Sequence, residues 1–440
     1  MKKNFDNEKY YIAQKAELLK ELNNNFERTY LEIGGKFIED FHASRVLANY
    51  EPNIKFRIIN DLKIRYEVIV CISALSIMKK KKRKDNKKTY MDECLKLIEF
   101  FNKNKVIVNI AVTRYRECAA VDSFIERLKK MNYKVYLFYE DENYPENVKK
   151  VLSKDGLGKN DYIPCSNKLV CVIAPGPDSG KFAVCVSQIF HESKLNKKTT
   201  YRKFETFLIP KLSINNPINL ACSMAMCDVR GIDCIDMNYL KKYGELRCID
   251  ERDKKTFEIL KCILPKTEIE SKNCISEYFI NNILEGIIDL NIANAHSKKE
   301  IIRRYKEYSK FFGSSKVSQI EFDEATRIYE LIQKDYTFTE NEMMAFLSNF
   351  IDYWGYDCQS NVCIEELSEL IKAICKYRRE EYDEKYKYNV LEELADVHNM
   401  VIQLEHYFGY EEIKKIRNEK ILRTKDVLLK ERDEEAGNNG

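Results

Sequence analysis

Two pairs of acidic residues near the end of the chain have the types and the spacing of metal ligands. Glu366 and Glu369 lie in the segment IEELSEL, and Glu393 and Asp396 lie in the segment LEELADV. Residues three apart share one face of an α-helix, so each pair presents both carboxylates on the same side. Four converging carboxylates repel one another, and a divalent cation removes that repulsion. The segments therefore predict a Mg²⁺ site, with Mn²⁺ as an alternative, that holds a nucleoside triphosphate and activates water.

The surroundings of these acids on a helical wheel strengthen the metal interpretation. Apolar positions flank Glu366 and Glu393, whereas Glu365 and Glu392 point towards solvent. A carboxylate inside an apolar stripe is costly unless something compensates its charge. The alternative is that these are ordinary solvated helix acids, paired with basic residues such as Lys376, Arg378 and Lys415.

The order EExxE, gap, ExxD resembles the MazG-type all-α nucleoside triphosphate pyrophosphohydrolases. This resemblance covers about residues 341–430. It implies that the four carboxylates bind Mg²⁺ and that the bond between the α and β phosphates is cleaved. One of the four, or Glu365, would serve as general base, and Lys415 and Arg417 would contact phosphates. It also implies that the protein forms a homodimer or a higher oligomer.

A glycine-containing turn is a second candidate for chemistry. The segment LVCVIAPGPDSGK reads as a strand, a turn and a helix start. Backbone N–H groups at such a turn can cradle a phosphate. Pro175 and Phe182 replace the first glycine and the hydroxyl of a P-loop, and Asp178 adds negative charge, so a simple helix cap is the alternative. The residues assigned to phosphate binding are Gly176, Ser179, Gly180 and Lys181.

The same turn belongs to a wider set of short segments that resemble one family. These segments include YLEIGGKFIEDFHASRVL, DGLGKNDYI, APGPDSGK, KFETFLIPKLSINNPINLA and IIRRY, in this order along the chain. Over about residues 4–334 they resemble the bacterial family known as domain of unknown function 1846. That family usually has glycine where Asp178 stands, and its C-terminal half is replaced here by the acidic helical segment. The resemblance implies no particular reaction.

Strand-like and helix-like segments alternate over most of the chain. Apolar β-rich runs occur at residues 30–33, 66–73, 106–113, 134–139, 169–174 and 205–209. Such runs separated by helices predict a mostly parallel sheet flanked by helices, an α/β fold. From residue 276 only helical patterns follow, including residues 277–288. We therefore expect an α/β domain at 1–275, a helical extension and linker at 276–337, an all-α domain at 338–432 and a disordered tail at 433–440.

Composition excludes several classes of protein. Among 440 residues the formal net charge is only +4, which gives no reason to expect nucleic-acid binding. No apolar run approaches the ~20 residues that span a bilayer, so no membrane association is expected. The 15 cysteines are scattered without a CxxC pair, which predicts thiols in a reducing, cytoplasmic compartment.

The sequence thus favours a nucleoside triphosphate pyrophosphohydrolase fused to a nucleotide- or phosphate-binding α/β domain. Two alternatives stay open. The helical part could be a catalytically silent nucleotide-sensing or dimerisation module that regulates the α/β domain. The α/β domain could also be a P-loop-like phosphotransferase that the helical part only oligomerises.

Overall fold

The structure is a computed structural model that describes residues 4–83, 88–227, 233–313, 317–334 and 338–438. Contacts within the chain divide it into two compact units, residues 1–337 and 338–440. We call the first the α/β unit and the second the helical module. Of the helical extension and linker expected at 276–337, residues 314–316 and 335–337 lie outside the described residues.

The α/β unit is built on a parallel sheet. Its strands are β1 (Arg28–Ile33), β2 (Tyr66–Ser73), β3 (Ile107–Tyr115), β4 (Val135–Tyr139), β5 (Leu169–Ile173), β6 (Thr199–Phe204), β7 (Asp233–Ile235), β8 (Cys248–Asp250) and β9 (Phe279–Ile280). Seven of them form one sheet in the order β4-β3-β2-β5-β1-β6-β9, in which every pairing is parallel. β7 and β8 form a separate antiparallel pair. The predicted parallel α/β fold is therefore confirmed.

Helices cover both faces of this sheet. They are α1 (Asn7–Leu22), α2 (Phe41–Val46), α3 (Ile54–Asn60), α4 (Ala74–Met78), α5 (Tyr90–Lys103), α6 (Ala119–Lys130), α7 (Val148–Val151), α8 (Lys181–Lys194), α9 (Pro217–Ala225), α10 (Met237–Tyr243), α11 (Glu251–Ile263), α12 (Lys266–Ser271), α13 (Ile283–Gly286), α14 (Leu290–Phe311) and α15 (Gln319–Leu331). Along β2, Val68 and Val70 join one apolar cluster, while Ile69 and Cys71 join a second. This two-sided burial explains why the central strands are continuously apolar.

Two predicted elements are wrong. Residues 205–209 do not form the sixth strand, because β6 ends at Phe204. The sequence of β6, TTYRKF, looks too polar for a central strand. Its Arg202 is nevertheless buried, because Glu21 and Glu268 pair with it. The helix predicted at residues 277–288 is replaced by the short strand β9 and by α13. Since β9 pairs with β6, the sheet continues past residue 275.

The helical module consists of long helices joined by short turns. They are α16 (Glu340–Trp354), α17 (Tyr356–Arg379), α18 (Glu384–Phe408) and α19 (Tyr410–Asn438). Thr339 and Glu342 form a capping box that begins α16, and Gly355 and Gly409 are one-residue turns. α17 and α16 both pack against α18. The predicted all-helical region is confirmed, and α19 continues past residue 432, where the domain was expected to end.

In the described ranges, we find no helix whose length and apolar character would let it cross a membrane.

Candidate functional site

Three of the predicted ligands meet in the helical module. Glu366 on α17 and Glu393 and Asp396 on α18 each place one carboxylate oxygen within 4.8 Å of the others. α17 and α18 lie alongside one another, which brings the two acidic segments face to face. Glu366 and Glu393 are half-buried, and Asp396 is exposed. We call these three residues the carboxylate triad.

The electrostatics of the carboxylate triad suit a bound cation. Across the described residues, no lysine or arginine forms an ion pair with any of the three, and no group donates a hydrogen bond to them. Desolvation, and then the negative charges of Asp396 and Glu393, raise the pKa of Glu366 above its ordinary value. A divalent cation would reverse that effect, because it favours the ionised form of all three groups.

Glu369 and Glu365, the other predicted acids, stand outside this triad. Glu369 accepts a hydrogen bond from Lys372 Nζ at 2.7 Å. Its charge still contributes to the raised pKa of Glu366, so it lies in the neighbourhood. Glu365 is exposed. A ligand role for Glu369 and a base role for Glu365 therefore stay predictions.

The helical module also has a groove, lined by residues of α18 and α19, that the sequence did not predict. It has a volume of about 540 Å³, and apolar residues of α18 line it together with His398, Glu405 and Arg417. Arg417 Nη1 donates to Glu405 Oε1 at 3.3 Å, and the Arg417 side chain is 63% exposed. Lys415 is exposed. Both side chains are accessible to solvent, and their binding of phosphate stays a prediction.

Several apolar residues near the acids face solvent within one chain. Ile364 and Ile371 on α17 are each 63% exposed, and Leu391 and Leu394 on α18 are 53% and 52% exposed. The helices of this module therefore leave part of the apolar surface of α17 and α18 uncovered.

The glycine-containing turn lies at the carboxyl edge of the sheet, after β5. A Cβ at Gly176 would collide with the hydroxyl of Tyr90, so a larger residue there would force Tyr90 to move. Gly180 has a φ of 75°, a left-handed conformation that glycine favours. Ser179 Oγ donates to the Gly176 carbonyl at 2.9 Å, so this hydroxyl holds the turn together.

The charged residues of this turn are compensated by neighbours on other strands. Lys181 Nζ, at the start of α8, lies 3.6 Å from Glu32 Oε1 on β1. Asp178, which the sequence suggested would repel phosphate, is held by Arg114 through two hydrogen bonds of 2.7 and 3.1 Å. Phe182 stacks on Tyr201 with ring centroids 4.6 Å apart. Phosphate binding at this turn stays a prediction.

Sequence reasoning missed a charged cluster at the same edge. Lys203 Nζ donates to Asp253 at 2.6 Å and forms an ion pair with Glu205 at the same distance, and Glu32 accepts from Tyr201 at 2.9 Å. Desolvation raises the pKa of Asp253 to about 6, opposed by Lys203 and reinforced by Glu32. The members come from β1, β6 and α11, so no local motif could reveal them. We call Glu32, Lys203, Glu205 and Asp253 the edge cluster.

Comparisons with known proteins concern the α/β unit. Residues 3–335 match the family model described as "Domain of unknown function DUF1846, N-terminal". A UPF0371 protein of Streptococcus pneumoniae (strain JJA) is 37% identical over 336 residues, 76% of this chain and 67% of the relative. A UPF0371 protein of Fusobacterium nucleatum is 38% identical over 310 residues, 69% of this chain and 61% of the relative. The match thus spans about two thirds of these relatives, and the carboxylate triad lies beyond it.

Proposed function

Because the chain belongs over residues 3–335 to the DUF1846 family, whose description names no reaction, we propose that the helical module beyond that region is the catalytic part. The proposed reaction is metal-dependent hydrolysis of a nucleoside triphosphate, or its deoxy form, to a monophosphate and pyrophosphate. We further propose that the α/β unit binds a phosphate-containing ligand.

The observation that carries this proposal is the carboxylate triad. Its three like charges lie within 4.8 Å of one another, and no cationic side chain in the described ranges pairs with them. Such a group destabilises the fold by repulsion, but it is a suitable set of oxygen ligands for a metal ion. Support also comes from the resemblance of the acidic segments to MazG-type pyrophosphohydrolases. That resemblance specifies the products, which the geometry of three carboxylates does not.

The proposal assigns a separate role to each group of residues in the helical module. Glu366, Glu393 and Asp396 would hold Mg²⁺, which when bound polarises phosphate oxygens and lowers the pKa of water. Glu365, exposed next to the triad and outside it, would accept the proton of the attacking water. Attack at the α phosphorus breaks its bond to the bridging oxygen, which leaves with pyrophosphate. Arg417, at the rim of the groove, would bind the leaving phosphates.

Pyrophosphate release from the common ribo- and deoxyribonucleoside triphosphates tests the proposal. We expect release from at least one of them with Mg²⁺, and a loss of at least about 100-fold in Glu393→Gln, because a lost ligand removes several kcal/mol of charge stabilisation. Glu392→Gln is the matched control, since Glu392 precedes Glu393 on α18 and is exposed. It should stay within about twofold of the unmodified chain.

Other outcomes contradict the proposal in different ways. Orthophosphate as sole product would indicate an ATPase-like reaction in the α/β unit. Nucleotide binding without pyrophosphate release would indicate a sensing module. Glu369→Gln tests the fourth ligand: a loss as large as that of Glu393→Gln would include Glu369 in the metal site, and a small loss would exclude it.

A second copy of the chain is the proposed partner of the helical module. Its support is the apolar surface that α17 and α18 leave exposed, including Ile364, Ile371 and Leu391. Contiguous apolar surface of this kind is typical of protein interfaces. Sedimentation of the full chain at micromolar concentration would contradict this part of the proposal if it showed only a monomer.

A further inference from the structure

A group of cations converges beside the glycine-containing turn of the α/β unit. Arg114 on β3 and Arg252 on α11 approach the same carboxylate, that of Asp178, with closest distances of 2.7 and 3.9 Å. The side chains of Arg114 and Arg252 are 34% and 49% exposed, so solvent reaches both guanidinium groups. The three elements come from distant parts of the chain, and the sheet brings them to one edge.

The backbone at this meeting point is in an unusual conformation. Arg114 has a φ of 49° and Asp178 a φ of 58°, both in the left-handed region that costs energy for residues other than glycine. The pairing of β3 with β4 shifts register between Val112 and Tyr115, and this irregularity contains Arg114. Backbone strain of this kind is retained where the surrounding structure holds a side chain in a required position.

Lys181 is a third cation of the same turn. It begins α8, three residues after Asp178, and its side chain is only 13% exposed. Its ammonium nitrogen is 3.6 Å from Glu32, which is too long for a hydrogen bond. In the described part of the chain no other residue hydrogen-bonds to it. A mostly buried ammonium group that donates no hydrogen bond to protein has its donors available for a ligand.

We propose that Arg114, Arg252 and Lys181 bind the phosphate group of a small hydroxylated molecule, such as a sugar phosphate. The Asp178 carboxylate competes with that phosphate for Arg114, because both anions accept bidentate hydrogen bonds from one guanidinium group. Asp250 accepts hydrogen bonds from Arg252 at 3.3 and 3.4 Å and competes in the same way for the second arginine. This inference rests on the proposed phosphate-binding role of the α/β unit. It does not depend on pyrophosphohydrolase activity in the helical module.

The edge cluster explains why the ligand should carry hydroxyl groups. Glu32 lies 3.6 Å from Lys181 and Glu205 pairs with Lys203, and the two carboxylate side chains are 8% and 13% exposed, so solvent reaches only a small part of each. A second anionic group would be repelled there, whereas a hydroxyl donates a hydrogen bond to a carboxylate. The guanidinium groups of Arg114 and Arg252 thus favour a phosphate, and the carboxylates of the edge cluster favour a neutral hydrogen-bond donor over a second anion.

Calorimetric titration of the full chain with inorganic phosphate and with ribose 5-phosphate tests the inference. The titrations contain EDTA, so metal-dependent binding at the carboxylate triad does not contribute. Asp178→Asn removes the competing charge, and asparagine tolerates the left-handed backbone. We expect this variant to bind both probes at least about tenfold more tightly than the unmodified chain, as removal of a charge-assisted competitor predicts. Ribose 5-phosphate should bind at least about threefold more tightly than phosphate.

Two further variants keep the result interpretable. Lys181→Met added to Asp178→Asn should reverse at least about tenfold of the gain. Glu324→Gln is the matched control, since Glu324 also accepts two hydrogen bonds from one arginine, Arg327, on the exposed face of α15. It should leave both affinities unchanged.

The inference is overturned if Asp178→Asn binds phosphate no more tightly than the unmodified chain, or if Lys181→Met has no effect. Equal affinities for the two probes would overturn the assignment of hydroxyl acceptors. Loss of phosphate binding here with intact pyrophosphate release, or the reverse, would separate this site from the proposed catalytic one.

Discussion

The α/β unit and the helical module differ in whether their clustered charges have oppositely charged partners within the protein. In the α/β unit, Lys55 is fully buried and donates to Asp40 at 2.9 Å, and Arg202 is buried between two glutamates. In the helical module, the carboxylate triad gathers like charges near the surface, and the structure describes no cationic side chain among them. Charge in the first unit is compensated inside the protein. The triad has no such internal partner in the described ranges, which is why we propose a cation as its partner.

Apolar surface follows the same division. Every residue of β2 is buried, whereas α17 leaves Ile364 and Ile371 each 63% exposed. Helices on both faces of the sheet bury its apolar side chains within one chain. The small helical module has too few elements to bury all of the apolar residues on α17 and α18. This contrast motivates the two proposals made above for the helical module, a bound metal ion and a second copy of the chain.

The largest expected difference between the units lies in their ion pairs. Lys55→Met should destabilise the α/β unit by about 3–5 kcal/mol, because it leaves Asp40 buried and unpaired. Burial alone would raise the pKa of Asp40, but Lys55 outweighs it and holds that pKa below its ordinary value. Lys372→Met, which breaks the exposed pair with Glu369, should cost no more than about 0.5 kcal/mol.

Urea unfolding followed by two signals measures this difference. Trp354 is the only tryptophan in the chain and lies on α16, so its fluorescence reports the helical module. Far-ultraviolet circular dichroism reports both units. If Lys55→Met and Lys372→Met had equal effects, the contrast between internal and external compensation would be untenable.

Self-association provides the next test. Ile371→Glu should weaken association by at least about 30-fold, since each copy would bury a charge in place of apolar surface. Ile12→Glu is the matched control, because Ile12 on α1 has the same 63% exposure but belongs to the α/β unit. Sedimentation equilibrium should show a change for Ile371→Glu alone. An equal change for Ile12→Glu would place the interface elsewhere or reveal a nonspecific effect.

The smallest effect concerns the pH dependence of the helical module. The raised pKa of Glu366 means that the folded module holds its proton more tightly than the unfolded chain does. As pH rises through the ordinary glutamate value and then the raised folded value, this contribution to stability is lost. In EDTA, Glu366→Gln should therefore be the more stable form at neutral pH, by less than about 1 kcal/mol because solvent screens the charge.

Thermal melting followed by Trp354 fluorescence at pH 4 and pH 7.5 measures this effect. The advantage of Glu366→Gln should shrink at the lower pH, where Glu366 is itself largely protonated. Saturating Mg²⁺ should reverse the order at pH 7.5, since only the intact triad gains stability from the metal. If Mg²⁺ stabilised both forms equally, Glu366 would have no part in metal binding.

Local patterns in the sequence were sufficient for much of the fold. Continuous apolar runs located β2 and β5, because a strand buried on both faces must be apolar at every position. The acidic pairs identified the face of α17 and the face of α18 that carry carboxylates, because helical periodicity depends only on nearby residues. β6 was misplaced and β9 missed, since a buried arginine and a two-residue strand carry no local apolar signal.

The sequence by itself determined the parallel sheet, the helical module and the two acidic pairs, each through periodicity within one segment. Only the tertiary structure decided that Glu366, Glu393 and Asp396 meet while Glu369 turns to Lys372. It also decided that the edge cluster forms and that the apolar faces of α17 and α18 stay exposed in one chain. These features depend on side chains that are distant in sequence, and their positions follow from how whole elements pack against one another.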